Sequence, residues 1–145
     1  MAYRLSLIMV TLWAGALWSA GISAYVLFDS LQDKQLAGML AGKLFTVVTY
    51  IGMVSAFYLL IHRLVQDGTA ALKQAFFWAV FVMLLLVLAG HFGIQPILEN
   101  LKAQALPADV MQSVFADRFR SWHGIASVAY LVECLLAFVV VLKSR

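Results

Sequence analysis

Two histidines, His91 and His123, carry the most suggestive chemistry in this 145-residue chain. An imidazole pair on facing helices could ligate a haem b iron axially, or hold a copper ion with help from a carboxylate. Each has polar company one helical turn away. Gln95 follows His91 by four positions and Arg120 precedes His123 by three, so each pair shares a helix side. Asp29 joins this polar set, and Trp122, beside His123, offers an indole against which a planar cofactor could pack. The competing reading is a structural polar cluster, since two ligands alone make a short metal signature. The remaining histidine, His62, belongs to the other end of the molecule.

Glu133 is the second anomaly. It follows His123 by ten residues, which on a helix is roughly 15 Å deeper. No Lys or Arg is expected at that depth, and a charged carboxylate there is costly, so Glu133 is expected as a neutral acid turned inward. Ser19 and Ser55 are its expected hydrogen-bond partners. A proton or cation relay and a simple interhelical bond are both open to it. The six methionines are scattered, which suits packing more than copper transport. The single cysteine, Cys134, excludes an internal disulfide, and no Gly-rich phosphate loop, Ser/His/Asp set or CxxC is present. A soluble-type hydrolase or nucleotide enzyme is disfavoured.

The elements that must position these residues are four apolar stretches, Leu5–Phe28, Leu44–Leu64, Ala75–Phe92 and Trp122–Leu142. About 20 apolar residues cross a hydrocarbon core of about 30 Å. Hydrophobic residues make up 64% of the chain and charged residues 12%, with a mean hydropathy of +0.94. The fold class this implies is all-α: an integral membrane four-helix bundle with short amphipathic connecting helices, one domain over residues 1–145. The net charge of +3 is spread over loops and ends, so it marks membrane flanks and excludes a nucleic-acid patch. Arg4, Leu5–Trp13 and Ala14-Gly15-Ala16 mimic a signal peptide, but the apolar run continues to Phe28, and a retained first helix is expected.

Alternating spans place the end of span three and the start of span four on one membrane face. His91 and His123 are therefore expected at a common level, near Asp29 and Lys43. Pro96 cannot bond the Phe92 carbonyl, so a kink is expected there, with helix resuming through Ile97, Leu98 and Leu101. Ala108–Phe119 shows amphipathic spacing and is expected to lie across one mouth of the bundle. The connector Leu31–Lys43 reads as helical, with Gly38 and Gly42 in a GxxxG step suited to close helix packing, within the chain or against another. Lys and Arg divide evenly between the two faces, and the working orientation puts both termini in the cytoplasm.

The strings LWAGALWSAG, VLFDSLQDKQLAGMLAGKLF, HFGIQPILENLK and FRSWHGIASVAYLVECLLAF resemble those of an uncharacterised bacterial family of four-helix membrane proteins. That family is a domain of unknown function, related to a eukaryotic transmembrane protein associated with cisplatin resistance. More remotely, the pattern is similar to the copper-resistance CopD-like group, which includes the haem-pathway HemJ proteins. The resemblance implies a bundle in the bacterial inner membrane and puts the family's polar positions on Asp29, Gly38, Gly42, His91, Gln95, Pro96, Trp122, His123 and Gly124. HemJ-like oxidases place a ligand histidine deep in the first helix, and span one here has none. Their oxidase activity is not carried over.

Three functions are therefore open. The first is a non-enzymatic membrane assembly or stress-response component, acting on the lipid bilayer, on copies of itself or on another membrane protein. The second is a haem- or copper-binding redox protein, with His91 and His123 as ligands and Trp122 packed nearby. The third is a small proton-coupled transporter using Glu133.

Overall fold

The computed structural model describes residues 2–144; Met1 and Arg145, both counted above, lie outside the described residues. Helix α1 spans Ala2–Ser30 and α2 spans Lys34–Asp67. Between them the Asp33 carboxylate caps α2, accepting from Gln35 N at 2.9 Å and Leu36 N at 3.0 Å. The Lys34 ammonium reaches back to the carbonyls of Phe28, in α1, and of Leu31, just past its end. Two sets of orphan terminal groups are thus satisfied in a single short corner. The Leu31–Lys43 connector is therefore mostly the first turns of α2.

Helix α2 ends where Gly68 turns into the left-handed region (φ +53°) and its N–H returns to Leu64 O. A side chain would be strained there. A 3₁₀ segment, Gly68–Lys73, leads into α3, Ala75–Ala89. The corner is fastened by Gln74 Nε2 donating to Asp67 Oδ2 at 2.7 Å and Trp78 Nε1 donating to Leu72 O at 2.8 Å.

The third span does not stop at Phe92. It passes through a π-turn, Gly90–Ile94, in which the Gln95 N–H bonds Gly90 O, and continues as α4, Gln95–Ala105. Pro96 has no N–H to give Phe92, and the wider turn just before it carries the ladder past the gap. The continuous apolar helix thus runs Ala75–Ala105. Residues 108–119 form no separate amphipathic helix. A 3₁₀ turn, Val110–Gln112, is capped by Asp109, and α5 then spans Ala116–Leu142. Val110, Phe115 and Phe119 still face inward, in a small cluster with Leu101, Ala105 and Trp122. Met111 and Val114 are exposed.

Helices α1, α2, α3 and α5 close a ring in which each packs on the next and α5 returns to α1. The core is built from Trp13 and Leu17 of α1, Ala56 and Leu59 of α2, Val80 and Met83 of α3, and Cys134 and Ala137 of α5. The outer faces are also apolar: Ile22, Val54, Ile61, Val128 and Leu135 are each about 60% exposed. All four helices are long and apolar enough to cross a membrane. The chain is a multi-pass integral membrane protein, an all-α four-helix bundle.

Candidate functional site at the turn of the third span

His91 sits in the π-turn with its Nδ1 3.0 Å from Gln95 Oε1. Gln95 Nε2 donates to Glu99 Oε1 at 3.1 Å and to Thr46 Oγ1 at 3.3 Å. With the amide hydrogens used, Oε1 is the acceptor and His91 Nδ1–H the donor. The Thr46 hydroxyl passes the chain on to Gly42 O at 2.9 Å. This sequence of bonds selects one tautomer of His91 and leaves its Nε2 lone pair free. An imidazole held through one nitrogen, with the other free to accept, is how ligating histidines are oriented. Tyr50 packs edge-on against the ring at 5.5 Å and Phe92 at 4.8 Å.

The π-turn explains why His91 meets α2: inserting a residue into the ladder rotates the side chains that follow. Its neighbour Tyr50 lies well inside the apolar run that begins at Leu44. His91 is thus level with a residue six positions into the apolar run of α2.

The other expected site residues are elsewhere. His123 is exposed and stacks on Phe119 at 5.7 Å, and Lys102 Nζ lies 5.6 Å from that same Phe119 ring. Trp122 packs on the Leu101, Ala105 and Val110 cluster. Arg120 pairs with its own-helix neighbour Asp117 at 3.3 Å, both exposed. Asp29 is exposed at the end of α1. The reason is the length of the third helix. Because α4 carries the chain on to Ala105 before it reverses, Phe119 and Trp122 near the start of α5 pack on Leu101 and Ala105 of α4, while α5 also touches the π-turn. His91 thus packs against Tyr50 of α2 while His123 stacks on its own helix, and among the described residues no three His, Cys, Asp or Glu side chains group to hold a metal ion.

Glu133 lies on the inward stripe of α5 with Cys134, Ala137 and Val140, only 8% exposed. Among the described residues no hydrogen bond or ion pair holds its carboxyl. Ser55 bonds Met9 Sδ instead, at 3.8 Å, and Ser19 is turned outward.

One cluster escaped the sequence reading. At the far end of the bundle His62 Nδ1 lies 3.2 Å from Ser6 Oγ, and the ring stacks on Tyr58. Arg63 is held between the Phe76 ring at 4.7 Å and Asp67 at 3.5 Å. A cavity of about 20 Å³ opens beside them, and His62 Nε2 is buried with no hydrogen-bond partner among the described residues. Its signal was the four-residue spacing of Tyr58 from His62 and of Arg63 from Asp67, which puts each pair on one helix face.

No curated protein and no solved structure matches the chain. Residues 8–107 match the family model described as a domain of unknown function, DUF4149. That stretch takes in His91, Gln95 and the two glycines of the α2 start, and ends before α5. Since the match extends over more than half of its length, the chain belongs to the DUF4149 family.

Proposed function

We propose that the protein is a non-enzymatic assembly component of the bacterial inner membrane, with both termini cytoplasmic, and that it docks another membrane helix at the start of α2. One observation carries this reading. In the repeat Leu36-Ala37-Gly38-Met39-Leu40-Ala41-Gly42, the alanines are buried, at 0% and 4% exposure, while Gly38 is half-buried and Gly42 exposed. A Cβ on Gly42 would meet nothing within 4 Å, and one on Gly38 only the tip of Phe28 at 3.6 Å. The chain's own fold therefore does not need these positions to be glycine. A partner backbone approaching closely does. Gly42→Leu is expected to leave the monomer folded and to abolish recovery of a cross-linked membrane partner. Unchanged cross-linking in that variant defeats the reading.

A second reading rests on the His91 tautomer. With Nδ1 tied to Gln95, Nε2 is available as a single protein ligand to a haem or copper ion, without His123. An absorption spectrum of the purified protein, oxidised and then reduced, tests it. A Soret band lost in His91→Ala but kept in His123→Ala supports this ligand. A featureless spectrum removes haem.

A further inference from the structure

We propose that the groove between the end of α1 and the start of α2 seats one anionic phospholipid, with an acyl chain on its apolar floor and the phosphate on Lys43. The groove is an open cleft of about 340 Å³ lined by Leu27, Leu40, Lys43, Leu44 and Val47, the scale of small-ligand sites generally. Four of its five residues are aliphatic. On α2 they recur at positions 40, 43, 44 and 47, one helical stripe. Gly38 and Gly42 fall on a different stripe, so this site is independent of the docking face proposed above.

Charge identifies the occupant. Lys43 is exposed, and no acid or hydrogen-bond acceptor holds it among the described residues. Lys34, Arg63 and Arg120 are by contrast engaged, on the carbonyls of Phe28 and Leu31, on Asp67 and on Asp117, and the exposed Arg4, Lys73, Arg118 and Lys143 do not line this groove. The helix neighbours of Lys43, namely Met39, Leu40, Thr46 and Val47, include no carboxylate. Lys43 is also the last charged residue before the apolar run of α2, at the level where a lipid phosphate meets hydrocarbon. A second copy of the chain fits less well, since a two-fold contact through this groove would bring Lys43 against Lys43. An acyl chain below an anionic headgroup satisfies both the aliphatic floor and the free cation.

The test is native mass spectrometry of the full chain in detergent, with phosphatidylglycerol and phosphatidylcholine of matched acyl chains added in equal amounts. The wild type is expected to retain phosphatidylglycerol about fivefold over phosphatidylcholine, the factor set by one lysine at an anionic surface. Lys43→Gln removes the preference and Lys43→Arg restores it; Lys43 is exposed, so folding is unaffected. Leu40→Trp fills the floor and lowers retention of both lipids. Equal retention by the wild type, a preference that survives Lys43→Gln, or retention indifferent to Leu40→Trp each overturns the proposal. Self-association lost in Leu40→Trp, with no lipid retained, would give the groove to a second copy and overturn it as well.

Discussion

The indole of Trp13 occupies the space where Gly52 would carry a side chain. A Cβ at Gly52 would stand 2.7 Å from Trp13 Nε1 and 3.1 Å from Cε2. Trp13 is 1% exposed, so the ring has nowhere to retreat. This is the tightest seam between α1 and α2, and it depends on two residues far apart in sequence.

Gly52→Ala should therefore destabilise the bundle by about 1–3 kcal/mol, the range for overpacking a filled core. Thermal unfolding in mild detergent measures it. Trp13→Phe shortens the ring and should recover much of the loss in the double variant. A contrasting seam lies higher in the bundle, where the Tyr130 hydroxyl donates to Leu17 O and a Cβ on Gly21 would meet that hydroxyl at 2.9 Å. There the obstacle is a single hydroxyl at the far end of a half-buried side chain, not the body of a fully buried ring, so Gly21→Ala should cost less than Gly52→Ala. If the two cost the same, the rigidity ascribed to the Trp13 contact is wrong.

The His91 tautomer gives a second prediction. Gln95→Leu removes the acceptor for Nδ1–H and leaves Thr46 and Glu99 without their donor. Nitrogen chemical shifts of the His91 ring should report the Nδ1–H form in the wild type and a mixture of tautomers in the variant. Stability should fall by about 1 kcal/mol, the usual net worth of a lost hydrogen bond, since Thr46 is half-buried and Glu99 is exposed to solvent. Gln95→Glu offers an acceptor at the same reach and should keep the Nδ1–H form. Identical ring shifts in wild type and Gln95→Leu would show that Gln95 does not orient the histidine.

The four spans were legible because each apolar run is long enough to cross a bilayer and is closed by polar residues. What each helix faces was not. In a soluble bundle polar residues mark the outward stripe, but here Ile22, Val54 and Leu135 are as apolar as the core they back. So nothing in the spacing told that Gly52 packs and Gly42 does not. Pro96 announced a disturbance in the third helix, and the π-turn is that disturbance. The helix resumes through Ile97, Leu98 and Leu101, as the sequence suggested, and what lay outside local reasoning is that His91 turns to Tyr50 of α2 while His123 stacks on Phe119 of its own helix. The His91–Gln95 pair was readable from its four-residue spacing. Thr46 and Tyr50 come from another helix and needed the packing.

Glu133 supplies the last prediction. It is buried on the inward stripe of α5, with no hydrogen bond or salt bridge to its carboxyl among the described residues. Such a group costs stability, and a well-packed apolar replacement removes the cost. Glu133→Leu should therefore raise the midpoint of thermal unfolding, and Glu133→Gln, which keeps a polar group of the same shape, should leave it nearly unchanged. Glu133→Lys, longer and cationic, should lower it sharply. A fall in stability with Leu would mean that the carboxyl is engaged in the membrane-embedded protein, by a partner chain or by water. A transport role makes a different demand, because the activity would vanish in Glu133→Leu while stability rose. Measuring the unfolding midpoint and proton flux in proteoliposomes on the same variant separates the two. A stable Glu133→Leu protein with unaltered flux leaves Glu133 as a destabilising residue with no part in transport.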